Sequence, residues 1–154
     1  MTNLAELVPD RAILLDVDAD DSDALIVAMS EALADAGIVE RDYAERCIAR
    51  ERTNPTGLVT AAGSIALPHA DPREGEKMGI AVARPSSPVE FGAMADEGTV
   101  DAKVVFLLAV AGGEAHLDAL AEVIDIVQDP DRMAGLLTAQ EPEDVKQLLR
   151  RNPR

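Results

Sequence analysis

Apolar positions along the chain come in short blocks cut by polar, proline and glycine breaks. Ile13 to Val17 is rich in branched residues and predicts a first strand. Asp20 to Asp23 is dense in helix N-cap residues, and its carboxylates suit the positive end of a helix. The helix then runs to about Ala36, with Leu25, Met29 (or Ala28), Ala32 and Ala36 at helical spacing, and Gly37 as its stop. A second helix is predicted over Glu40 to Glu51, where Ala44, Cys47, Ile48 and Glu51 share a face. Arg46, Arg50 and Arg52 gather toward its C-terminal end, where positive charge complements the helix dipole. Asn54-Pro-Thr-Gly57 breaks it.

The strands come next. Ser64 to Leu67 is a short apolar strand stopped by Pro68, which cannot continue a central strand. After a polar loop, Met78 to Ala83 is another strand, stopped by Arg84-Pro85. Ser86 to Phe91 predicts a turn and a short edge strand, and Gly92 to Asp101 a flexible acidic loop. Ala102 to Val110 is almost wholly apolar, as expected of a central strand covered on both faces, and Gly112-Gly113 ends it. A helix beginning near Glu114 is expected to bury Leu117, Leu120, Ala121, Ile124 and Val127. Asp129-Pro130 and Glu141-Pro142 open two short amphipathic helices, with Met133, Leu136 and Leu137 inward in the first and Val145, Leu148 and Leu149 in the second. Residues 1–10 read as a helical turn or an unstructured lead, and 151–154 as a polar tail. Helices, a run of strands, then helices again predict an α/β fold, a three-layer α/β/α sandwich with a central mixed β-sheet. One domain is expected over 1–154, with its core at about 5–150.

Composition narrows the function. The formal net charge is −15, a surface that repels nucleic acid and anionic lipid. It would suit a basic protein partner, but such a charge is more often simply a soluble, self-repelling surface. Aromatic residues are only 2%, so aliphatic side chains must fill the core. Cys47 is the only cysteine, which excludes an intrachain disulfide and fits a reducing compartment. The N-terminus lacks the basic and apolar regions of a signal peptide, and no apolar run approaches the ~20 residues of a membrane helix. A cytoplasmic location is expected.

The chain has two histidines, and both are predicted just past strand ends. His69 follows Pro68, and His116 lies in the first turn of the helix after Gly112-Gly113. They meet only if the two strands are neighbours running the same way. If they meet, a helix N-terminus offers free N–H groups for a phosphate and keeps a nearby imidazole neutral and nucleophilic. Arg50 could then present its planar fork to phosphoryl oxygens. Such a set makes a phosphohistidine site that needs no metal or other cofactor, since positioning and charge stabilisation suffice. Alone, a histidine beside a proline is more often a loop residue. Two histidines could also contribute to a zinc site, but zinc usually takes three or four protein ligands. Cys47 reads as a small core residue, and the acidic pairs Asp20-Asp21 and Glu114 with Asp118 read as helix caps. The glycines match neither a Walker loop nor a dinucleotide fingerprint.

Arg50-Glu51, Asn54-Pro-Thr-Gly57, Ser64-Ile-Ala-Leu-Pro-His-Ala70 and Ala115-His-Leu117, in that order, resemble the mannitol/fructose-type enzyme IIA domains of the bacterial sugar phosphotransferase system. The resemblance spans about residues 5–150. The Pro-Thr-Gly segment and Pro88-Val-Glu-Phe-Gly-Ala-Met94 look more like the galactitol-type branch. The resemblance implies that His69 takes a phosphoryl group from the histidine phosphocarrier protein and passes it to a cysteine of enzyme IIB. It implies that His116 is the second active-site histidine and that Arg50 helps bind the phosphoryl group. The membrane would be met only indirectly, through an enzyme IIC subunit. A regulatory role like that of the nitrogen-related enzyme IIA proteins, controlling partners by phosphorylation state, stays open beside sugar uptake.

Overall fold

The strand Val104–Ala109 (β7) is buried along its whole length, and its side chains alternate between two cores. Val104, Phe106 and Leu108 enter one core, and Val105, Leu107 and Ala109 the other. This is the physical meaning of its near-continuous apolar sequence. The computed structural model describes residues 4–95, 97–110 and 114–150. Around β7 it arranges β1 (Ile13–Val17), β2 (Leu58–Thr60), β3 (Gly63–Ala66) and β4 (Gly79–Pro85) in one sheet of order β1-β4-β7-β3-β2. The sheet is mixed: β1 is parallel to β4, β4 antiparallel to β7, β7 parallel to β3, and β3 antiparallel to β2.

Helices cover both faces. α1 (Leu4–Leu7), α4 (Glu114–Gln128), α5 (Pro130–Thr138) and α6 (Pro142–Leu149) pack on one face, and α2 (Ser22–Asp35) and α3 (Tyr43–Thr53) on the other. A hairpin of β5 (Val89–Gly92) and β6 (Thr99–Ala102) fills out the second core with Val89, Phe91, Val100 and Ala102. The three-layer α/β sandwich expected from the sequence is the observed fold.

Helix ends follow their local chemistry. Asp21 caps α2, accepting from the Ala24 amide at 2.8 Å. Gly37 ends α2 with φ +77°, and the bonds from its own amide to Ala34 O and from Ile38 N to Leu33 O complete a Schellman motif. Asp129 caps α5 with Pro130 inside the first turn, as predicted.

Several expected boundaries move. The stretch Ala102 to Val110 is not one strand: it breaks at Lys103 into the ends of β6 and β7. The acidic segment before it is partly ordered, because Thr99 to Ala102 alternates exposed and buried positions and pairs with β5. Leu58–Thr60 forms an edge strand that the surrounding Thr, Gly and Ala obscured. The strand before His69 is Gly63–Ala66 rather than Ser64 to Leu67. β4 does not stop before Arg84-Pro85 but runs through both, Pro85 opposite Val17 of the edge strand, where its missing N–H costs no interior bond. α3 starts at Tyr43, after a turn at Glu40 to Asp42. The stripe on α4 is rotated from the predicted one: Ala119, Val123, Ile126 and Val127 are buried, while Leu117 is 63% exposed and Ala121 is exposed. Gly112-Gly113 and the tail 151–154 lie outside the described residues.

Gly57 joins the hairpin to the sheet. Its amide donates to Gly92 O at 2.9 Å and its carbonyl accepts from the Met94 amide at 2.7 Å. A Cβ here would stand 2.5 Å from Gly92 O and 2.6 Å from Val100 Cγ2. The backbones therefore meet at a distance that only glycine permits. Gly57→Ala should cost about 1–3 kcal/mol of stability through this overlap. Chemical denaturation measures it, and a variant as stable as the parent would remove the close approach as a constraint.

Candidate functional site

β3 and β7 run side by side in the same direction, which is the condition for the two histidines to meet. After β3 the chain continues alongside β7 through Pro68, whose carbonyl accepts from the Leu108 amide at 3.0 Å. His69 bridges to Leu108 at that point. α4 begins soon after β7 ends and carries His116 in its first turn. The two imidazole rings lie with centroids 5.1 Å apart and planes tilted by 52°.

The His69 ring has a defined tautomer. Its Nδ1 is 2.9 Å from Leu67 O. A carbonyl oxygen only accepts, so Nδ1 carries the hydrogen, and in the neutral ring the lone pair sits on Nε2. His116 is held below its usual 6.5, by burial first, then by its neighbours His69 and Arg50, with Asp71 opposing. It is therefore neutral at pH 7.

Arg50 lies in the last turn of α3. Its Nη1 is 4.0 Å from Asp71 Oδ2, a loose contact with a carboxylate that is 90% exposed. Its Nε is buried and has no hydrogen-bond partner. Buried polar atoms are normally satisfied, so this donor has spare capacity for a ligand oxygen. All three residues singled out in the sequence thus gather at one end of the sheet. Cys47 does not join them: it is fully buried, and burial foremost pushes its thiol up to about 12, leaving it inert.

Sequence reasoning missed the residues that hold His69. Thr56 accepts from the Leu67 amide at 3.0 Å and donates to Glu51 Oε1 at 2.8 Å. The second Glu51 oxygen accepts from the Thr56 amide at 2.8 Å. Arg46 is not a C-terminal dipole partner, as its sequence position suggested, but turns inward. It donates to Asp71 O at 2.9 Å and pairs with Glu76, whose side chain is only 1% exposed. Burial would raise the Glu76 carboxyl, but Arg46 and the amides of Arg73 and Glu40 outweigh it and hold the group below its usual value. The available signal was Glu51 on the predicted apolar face of α3, since a carboxylate in that position requires a partner.

Residues 6–152 match the family described as "Phosphoenolpyruvate-dependent sugar phosphotransferase system, EIIA 2". The chain belongs to this family. It is 30% identical over 124 residues to the galactitol-specific EIIA component of Escherichia coli K12, covering 80% of this chain and 82% of that one. It is 29% identical over 153 residues to the fructose-specific EIIA component of Haloferax volcanii, covering 97% and 96%. Among solved structures, enzyme IIAMtl of Escherichia coli, in its complex with phosphorylated enzyme IIBMtl, superposes with a TM-score of 0.75 at 23% identity, covering 92% and 96%. That likeness shares the fold described above. As an EIIA protein, the chain is a phosphotransferase component of sugar uptake. Among the described residues no helix is long and apolar enough to cross a membrane, and no three His, Cys, Asp or Glu side chains converge as a metal site.

The environment of His116 has a pH consequence. The folded protein binds this proton less readily than the unfolded chain does. Stability is therefore lost as pH falls from above 6.5 toward the lower folded value, and levels off below it. An NMR titration of the ring should give a midpoint below 6.5. Phosphorylating His69 should move that midpoint upward, because a neighbouring dianion favours the imidazolium. A midpoint above 6.5 in the free protein would contradict the geometry.

Proposed function

We propose that this EIIA chain carries a phosphoryl group on His69 Nε2. The group comes from the histidine phosphocarrier protein and goes to a cysteine of an enzyme IIB. The observation that supports this most is the Nδ1–H bond to Leu67 O, which leaves a single lone pair directed away from the backbone. The N–P bond of the donor breaks as the Nε2–P bond forms, while Nδ1 keeps its proton on Leu67 O. In the second transfer a thiolate of enzyme IIB attacks phosphorus, and the Nε2–P bond breaks as the S–P bond forms.

The neighbours have separable roles. His116, neutral and in the first turn of α4, abuts the reacting ring and can donate an N–H to a phosphoryl oxygen. Arg50 turns its open Nε–H and its fork to the developing charge. The galactitol- and fructose-specific relatives support uptake of a sugar or sugar alcohol, and the Escherichia coli complex with phosphorylated enzyme IIB supports an acceptor of that kind. The same reading makes the protein a cytoplasmic component that reaches the membrane only through its partners.

Incubation with enzyme I, the phosphocarrier protein and labelled phosphoenolpyruvate should give acid-labile, base-stable label. His69→Ala should abolish it, and normal labelling of that variant would sink the assignment. His116→Ala should slow transfer while leaving label on His69; loss of all label there, with His69→Ala still labelled, would mean that the roles are reversed. Arg50→Lys keeps the charge but loses the planar fork and should slow transfer about tenfold or more. A rate equal to wild type would remove Arg50 from the site.

A further inference from the structure

We propose that Tyr43 is a positioning residue for phosphotransfer, acting through the backbone on either side of His69. The proposal rests on the reading of His69 as the phosphoryl acceptor. Tyr43 is the only tyrosine in the chain, stands at the first position of α3 and is fully buried. Its ring would serve the core equally well as phenylalanine. The hydroxyl is what needs explaining, because burying one is unfavourable unless its hydrogen bonds are made.

They are made to two segments of the site. The phenol oxygen accepts from the Ala70 amide at 3.2 Å. It donates its one proton to Leu108 O, the nearer acceptor at 3.0 Å, with Ala70 O at 3.2 Å. On the other side of the histidine, Pro68 O takes the Leu108 amide at 3.0 Å. Residues 68 and 70 are thus both fastened to Leu108, one directly and one through the phenol. His69 is the residue between the two anchors, so they fix its backbone and the direction of its Cα–Cβ bond. The Nδ1 bond to Leu67 O then fixes the ring plane. The Arg46 guanidinium lies 4.9 Å from the centre of the Tyr43 ring and binds Asp71 O, which extends the clamp by one residue.

Without the hydroxyl, the Ala70 amide and Leu108 carbonyl lose a partner in places that are 6% and 1% exposed. The segment must shift to recover bonds, and displacing a reacting group by about 1 Å costs on the order of a hundredfold in rate. The effect falls on the transfer step and not on docking, since a side chain with no exposed surface cannot touch a partner protein.

The test is Tyr43→Phe in the full chain, with phosphorylation by the phosphocarrier followed as a function of its concentration. The expected result is a fall of about tenfold or more in maximal rate, with an unchanged half-saturating concentration. The nitrogen NMR signals of His69 should also change from a pure Nδ1–H tautomer to a mixture. A wild-type rate with an unchanged tautomer overturns the proposal, and so does a loss confined to the half-saturating concentration, which would be a docking effect. A second measurement does not depend on the variant folding. In the wild-type protein the Ala70 amide should exchange hydrogen as slowly as that of Leu108, and exchange at loop rates overturns the clamp. Failure of the underlying reading looks different: wild-type protein that takes no label, or His69→Ala that still takes it.

Discussion

Where a strand leaves a sheet, its backbone polar groups lose their ladder partners, and each must find another or be solvated. The segment Leu67 to Asp71 meets much of that requirement within the protein. Leu67 N donates to Thr56, Leu67 O takes His69 Nδ1, Pro68 O takes Leu108 N, Ala70 N donates to the Tyr43 hydroxyl, and Asp71 O takes Arg46. Proline at position 68 brings no N–H that would need a partner there. The result is an irregular segment held by bonds on both sides of the proposed nucleophile. Preorganisation of this kind is what the proposed transfer depends on.

Most of those partners come from α3 or the turn that follows it. Tyr43, Arg46 and Arg50 recur at three- to four-residue spacing along one side of the helix, and Glu51 and Thr56 follow at its C-terminal end. One helix therefore both holds the histidine segment and delivers the arginine. Glu51 shows the cost of the arrangement. Burial raises its carboxyl above the usual value, opposed by the bonds from the Thr56 amide and hydroxyl. Those two bonds keep it from being an unpaired charge inside the protein.

The strongly acidic composition makes the few internal cations conspicuous. The Nε of both Arg46 and Arg50 lacks a hydrogen-bond partner, but the Arg46 fork is held by Glu76 and Asp71 O, while among the described residues the Arg50 fork has only the distant Asp71. The two arginines are one helical turn apart and carry the same charge, yet one is structural and the other is open to a ligand. The difference lies in which carboxylates the loop after His69 brings close. In a protein of net charge −15, an arginine without a tight partner is an exception among the described residues, and it falls at the proposed phosphoryl site.

The sequence alone determined the layered α/β architecture, because apolar runs of strand length and stripes at helical spacing are properties of the chain itself. It also singled out His69 as a candidate, since a strand halted by proline before a rare histidine is a local signal. Helix caps such as Asp21, Gly37 and Asp129 were legible for the same reason. Only the tertiary structure decided that His116 and Arg50 stand beside His69. That follows from β3 and β7 lying adjacent and parallel, a long-range pairing that no local pattern encodes. β6 was hidden because its short alternation lies between acidic loop residues and an apolar run that masks its end. The phase of α4 was misread because Leu117, apolar and at helical spacing, faces outward next to His116, and spacing does not reveal which side the sheet occupies. Thr56, Tyr43 and Arg46 were invisible as site residues because what each holds next to His69 is a backbone group, and a backbone group has no sequence signature until the fold gives it a position.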